Sequence, residues 1–302
     1  MNTIRNILVV IDPTVERDSV IERANLIAKL TNAKVNLFIN NTNFLSPHNF
    51  NYEGISAEFF ELQQKLFEEH HGKILNQLVS EFTDAGIPAS SDMASGHNLA
   101  EAIIEKVNTL GPDLVLKSTH HHGAIQRSFM SNTDWRLIRK CPAPLMLVKP
   151  QSWQESGSIV TAIDPMHAKA EQTTLDELLL STTKTVAHSL DLSPHVFHSY
   201  FPFVSSLFPM GGESEEYLFR IRKQHEEKLR ALTQKHGFDD SSIHLSQGEL
   251  VPSIIHYLEK CNANLLVIGA LSRNALERAI IGNTAEKILE NSPCDILIMK
   301  TT

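Results

Sequence analysis

One stretch of this chain occurs twice. Leu265–Lys300 (LLVIGALSRNALERAIIGNTAEKILENSPCDILIMK) lies over Leu114–Lys149 (LVLKSTHHHGAIQRSFMSNTDWRLIRKCPAPLMLVK) without a gap, at a constant offset that sets Leu114 on Leu265. Leu, Ala, Arg, Asn, Thr, Pro and Lys coincide at 114/265, 124/275, 127/278, 132/283, 133/284, 142/293 and 149/300. Elsewhere one apolar residue replaces another, as Leu116 and Val267 do, or Leu145 and Ile296. In a chain of 302 residues, such a repeat requires two copies of one structural unit, each the size of an ordinary domain.

Each copy runs from a short apolar segment through a polar loop to a helix-like segment at Asn-Thr, then a proline and a second apolar segment. Apolar runs of four or five residues bounded by turn residues fit strands buried on both faces. Strand, helix and parallel strand make a βαβ unit.

The rest of each half extends the pattern. Ile4–Ile11 and Ser158–Ile163 are expected first strands, ending in Asp12-Pro13 and Asp164-Pro165. Proline stops the ladder and leaves each carboxylate at a strand C-terminus. Val15–Leu30 and about Thr173–Leu190 read as helices, Val35–Asn40 and Val196–Phe201 as second strands. Long helices follow. Phe59, Leu62, Leu66, Ile74, Leu78 and Phe82 hold helical spacing in the first, and Leu218, Ile221, Leu229 and Leu232 in the second. Third strands near Pro88–Ala94 and Ser242–Ser246 lead to helices Leu99–Leu110 and Val251–Cys261. Each half is therefore expected to be a doubly wound α/β domain with a five-stranded parallel sheet. The polar segment Pro150–Gly157 joins them, giving domains 1–150 and 151–302.

Composition narrows the function. Hydrophobic content of 42% and charged content of 21% are those of a soluble globular protein. A net charge of −8 argues against nucleic acid and anionic membranes, which need a basic surface. Nothing approaches a membrane span or a signal peptide. Three widely spaced cysteines, Cys141, Cys261 and Cys294, suit a reducing compartment. A cytoplasmic protein is expected.

In doubly wound sheets, ligands bind beyond the strand C-termini where the strand order reverses. Asp164, the loop Gly269-Ala-Leu-Ser272-Arg273-Asn274, and Gly282-Asn283-Thr284 at a helix N-terminus should converge there in the second half. Such a terminus suits an anion, and Arg273 could pair with a phosphate. The plainer reading is a strand-exit turn and a capped helix. Asn283 with Glu286 has the spacing of a capping box, and Asn132 or Thr133 could cap the equivalent helix.

On these residues the whole chain resembles the tandem, E-type universal stress proteins. The resemblance implies two Rossmann-like domains related to the adenine nucleotide alpha hydrolases. It also implies an internal pseudo-dimer, in which Leu145–Val148 and Ile296–Met299 can pair as the fifth strands of single-domain relatives do. Such a chain would be a monomer or weak homodimer. Nucleotide-binding members carry a glycine, two residues, a second glycine, nine residues, then glycine with serine or threonine. Gly269 and Gly282 match the first and third glycines. Ser272 replaces the second, and Asn283 precedes Thr284 where a hydroxyl residue is usual. The family's strand-one aspartate, which contacts the ribose or adenine end, corresponds to Asp164 and Asp12. In the first half Ser118, His121 and Ser131 occupy all three glycine positions, which argues against nucleotide there. The implied function is a non-catalytic stress-response protein whose second domain binds a small ligand, with ATP or another adenine nucleotide as the candidate.

Two alternatives stand beside it. One is a slow nucleotide hydrolase, for which no nucleophile–base pair or carboxylate cluster is visible. The other is a binder of an apolar or acylated metabolite, or of a protein, through the Phe-rich loops Asn41–Gly54 (Phe44, Phe50, Tyr52) and Phe201–Gly212 (Phe201, Phe203, Phe208, Met210). His120-His121-His122 read as a solvated loop, because three adjacent side chains cannot easily share one ion. His70 and His225, at matching places on the long helices, read as partly buried histidines with one hydrogen-bond partner each.

Overall fold

Asn6–Ile11 (β1) is buried at every position, which an isoleucine- and valine-rich strand tolerates only with both faces of its sheet covered. The computed structural model describes all residues except 1–3, 14–16, 42–56, 96–97, 122–127, 167–169, 203–214, 271–282 and 301–302. Two units separate, Asn2–Ser152 and Trp153–Thr302.

In the first unit, β1 is followed by α1 (Asp18–Thr31), β2 (Lys34–Asn41), α2 (Ala57–Asp84), β3 (Ala89–Ser95), α3 (Leu99–Leu110) and β4 (Leu114–Ser118). A ribbon of two residues per strand, β5 (His120–His121) and β6 (Ser128–Phe129), then precedes α4 (Asn132–Lys140) and β7 (Leu145–Val148). The main strands lie in the order β3-β2-β1-β4-β7, and all their pairings are parallel. The antiparallel ribbon pairs His120 with Phe129 and His121 with Ser128. Those two histidines therefore belong to a strand rather than the loop expected of them; His122 lies outside the described residues.

The second unit repeats the plan. It comprises β8 (Ser158–Ala162), α5 (Ala170–Leu190), β9 (Ser193–Tyr200), α6 (Glu215–Gln234), a 3-10 turn at Asp240–Ser242, β10 (Ile243–Gln247), α7 (Leu250–Lys260), β11 (Ala263–Gly269), α8 (Asn283–Asn291) and β12 (Asp295–Met299). The order is β10-β9-β8-β11-β12, again parallel throughout. The direction of winding reverses between β1 and β4 in one unit and between β8 and β11 in the other. A crevice forms at such a reversal.

The connecting segment divides residue by residue. Arg23 donates to the Gln151 carbonyl, and Ser152 Oγ reaches Glu22 Oε2 at 3.2 Å. From Trp153 onward the bonds go to the second unit. Trp153 Nε1 donates to Asp295 Oδ2 at 2.7 Å, and the Asn264 amide pairs with both Gln154 N and Gln154 O at 2.8 Å. Position 157 must be glycine, since a Cβ there would lie 2.1 Å from Asn264 Nδ2.

Not all of the expected α2 stripe faces the core. Leu78 and Phe82 are buried, while Phe59, Leu62 and Leu66 are 41–52% exposed. Periodicity identifies the apolar face of a helix and says nothing of how far the sheet extends beneath it.

Candidate functional site

Asp164 leaves β8 at the reversal point. It is exposed, and its Oδ1 accepts the Met166 N–H at 3.1 Å, the turn an Asp-Pro pair favours. Beneath it, α5 presents Asp176, whose carboxylate accepts the Asp164 backbone N–H. Asp176 is only 6% exposed. Burial, then the neighbouring Asp164 charge, pushes its carboxyl up to about 7, with the backbone hydrogen bond opposing. Close to neutrality this carboxyl is half protonated.

Gly269 ends β11, one strand over. A Cβ there would lie 2.4 Å from Leu175 Cδ2 on α5. The glycine is thus explained by close helix–sheet packing, a reason separate from the phosphate approach expected of it. Parallel β11 and β12 are joined by α8, which must run back along the sheet, so its N-terminus lies at the same strand-end edge. The described part of α8 begins with Asn283 and has Glu286 in its first turn. Asn283 and Thr284 are exposed there. Ser272, Arg273, Asn274 and Gly282 lie outside the described residues. Asp164, Gly269, Asn283 and Thr284 therefore share one edge of the second sheet.

The first unit fills the same place with its own charge. Lys117 is fully buried on β4, paired in register with Val10 of β1. Its ammonium lies 3.0 Å from Asp134 Oδ1 and 3.7 Å from Asp12 Oδ2, and donates to the Ser118 carbonyl at 3.0 Å. Asp12 is 7% exposed and Asp134 wholly buried. A buried ammonium persists only with such compensation. Asp134 serves twice, because its Oδ2 accepts from Ser131 N and Ser131 Oγ, both at 2.8 Å. Asp134 N in turn donates to Ser131 Oγ at 3.1 Å. The cap of α4 is therefore Ser131 in a capping box with Asp134, one residue before the expected Asn132. At the repeat offset, Ile268 stands for Lys117 and Ala285 for Asp134. The salt bridge is thus exchanged as a unit for an apolar pair. The sequence signal for it is a lysine inside the strand run LVLKS.

The expected match between His70 and His225 does not hold. His70 is exposed on α2, in edge contact with His71 at 4.9 Å. His225 is half-buried on α6, and its Nδ1 is 2.8 Å from Nε2 of the buried His198. His198 Nδ1 is 3.0 Å from the Ile163 carbonyl. By strand register, Ile39 of β2 takes the place of His198 in the first unit, so no second ring is there to bond. Tyr200 stacks on His225 at 4.9 Å.

Of the Phe-rich loops, Phe44, Phe50, Tyr52, Phe203, Phe208 and Met210 lie outside the described residues. Phe201, at the end of β9, is 69% exposed, and Phe219, in the first turns of α6, is 64% exposed. Among the described residues no helix is long and apolar enough to cross a membrane.

Comparison with known proteins agrees with this architecture. The model of the universal stress protein family matches residues 3–149 and again 159–300. The chain is 29% identical over 306 aligned positions to universal stress protein E of Escherichia coli, covering 98% of this chain and 94% of that one. A solved structure of a functionally unknown protein from Pseudomonas aeruginosa is 25% identical, with a TM-score of 0.76 over 98% of this chain and 92% of the other. A universal stress protein from Archaeoglobus fulgidus, 14% identical, shares the fold with a TM-score of 0.68 over 98% of each chain.

Proposed function

The chain belongs to the universal stress protein family, and from that premise we propose that it is a non-catalytic binding protein whose second unit takes an adenine nucleotide. One observation carries this reading: the same strand-one aspartate is exposed in one unit and consumed in the other. Asp164 presents a carboxylate to solvent, a form suited to ribose or amino-group donors. Asp12 is enclosed with the Lys117 ammonium, which satisfies it from within. The start of α8 at the same edge adds exposed N–H groups and the positive end of a helix dipole, which favour phosphate. Asn283 and Thr284 are the described residues that would lie nearest that phosphate.

Native mass spectrometry of the full chain with ATP and Mg²⁺ tests the reading. One nucleotide per chain is expected, lost in Asp164→Asn and retained in Lys117→Met, with no release of ADP over hours. Two nucleotides per chain, or binding indifferent to Asp164, would overturn it. Exposed Phe201 favours a second reading, in which the cleft accepts an apolar or acylated metabolite. A greasy adduct carried through purification and lost in Phe201→Ser would identify that case.

A further inference from the structure

The histidine pair of the second unit has its protons fixed by one carbonyl. The Ile163 oxygen can only accept, so His198 Nδ1, 3.0 Å away, must carry a hydrogen. In the neutral ring Nε2 is then a bare acceptor. His225 Nδ1, 2.8 Å from that nitrogen, must therefore be the donor. Both rings are held as Nδ1–H tautomers in the series Ile163 C=O, His198, His225. The outer His225 Nε2 is left with a lone pair. One proton can be added there without breaking a bond in the series. A second would set two N–H groups against each other across 2.8 Å, so the pair accepts one proton and not two.

The surroundings say what that proton does. Asp164 acts on both rings from the β8 exit, and Lys228 acts on His225 from its own helix. Asp176 of α5 stands behind Asp164, and Tyr200 of β9 covers His225. Burial is the largest influence on each ring and holds both below the ordinary histidine range, with the Asp164 charge pulling the other way. At neutral pH the pair is uncharged and Asp164 is free to meet a ligand.

We propose that His198 and His225 form a one-proton acceptor coupled to Asp164, so that acidification sets an imidazolium against the carboxylate of the second-unit crevice and weakens its hold on ligand donors. The ligand part rests on the function proposed above; the proton site does not.

Long-range ¹H–¹⁵N spectra of the ¹⁵N-labelled full chain without ligand, from pH 8 to 5, test the proton site separately from nucleotide binding. His198→Gln and His225→Gln assign the rings. At pH 8 both should show the Nδ1–H pattern, in place of the Nε2–H form that dominates free histidine. One proton should enter the pair on acidification. Asp164→Asn, which can still accept the Met166 N–H, should lower that midpoint by about half a pH unit, roughly a threefold loss of proton affinity. An Nε2–H pattern at either ring, two independent proton uptakes, or a midpoint unmoved by Asp164→Asn would overturn the proposal.

Discussion

Lys117 shows how much one side chain decides. Its ammonium has left water completely, and the Coulomb attraction of Asp134 and Asp12 offsets a desolvation cost of several kcal/mol. Removing it strands two carboxylates in the interior. Lys117→Met should therefore destabilise the first unit by about 3–5 kcal/mol in urea unfolding. Adding Asp134→Ala to Lys117→Ile, the pair the second unit carries, should recover part of that loss. Asp176 has the opposite sign of pH dependence from a salt-bridged carboxylate. Its folded-state value is raised to about 7 from 3.8, so the folded chain binds more protons than the unfolded chain between those limits. The stability it contributes is present below about pH 4 and lost as pH rises to 7. Asp176→Asn should thus be stabilising, with a gain that grows between pH 4 and 7, stays level above, and amounts to about 3 kcal/mol or more at pH 8. Denaturant titrations at a series of pH values would show it. Lys117 leaves a trace in the sequence, as a lysine inside the apolar strand run LVLKS; Asp176 leaves none. Asp176 sits in an ordinary helical sequence, and only the fold shows that it lies under Asp164.

At the scale of elements the sequence was more generous. Alternating apolar runs and 3.6-residue stripes locate every main strand and helix to within a few residues, because both faces of each sheet must be covered. What they do not carry is the identity of neighbours. Gly269 looks like a phosphate-loop glycine by spacing, yet the contact that requires it is Leu175 of α5, 2.4 Å from where a Cβ would lie. Gly269→Ala should destabilise the second unit, and Leu175→Ala should cost less in that background than in the native chain. A double-mutant cycle by thermal unfolding measures that coupling; additive losses would mean the glycine is needed for another reason. The α4 cap moved by one residue for a comparable cause. Ser131, at a family glycine position, bonds Asp134 because Asp134 is already anchored on Lys117. Ser131→Ala should cost about 1 kcal/mol or somewhat more, since it removes the Oγ that both donates to Asp134 Oδ2 and accepts from Asp134 N.

For the whole molecule, the repeat read from Leu114 and Leu265 outward is real in every main strand and helix, and the two copies have diverged at the point where the strand order reverses. One unit has closed its reversal point with an internal cation. The other keeps an exposed carboxylate, a buried carboxyl near neutrality and a proton-accepting histidine pair at the same edge. That asymmetry was visible in part, as the loss of three glycine positions in the first half and two kept in the second. Its physical cause, a charged pair exchanged for Ile268 and Ala285, required the side chains in place. Hydrogen–deuterium exchange of the full chain, with and without ATP and Mg²⁺, tests the asymmetry most directly. Protection confined to the β8 exit and the first turns of α8, with β1, β4 and α4 unchanged, is the result expected. Equal protection at the Asp12 and Asp164 edges, or protection at the Asp12 edge alone, would contradict the account.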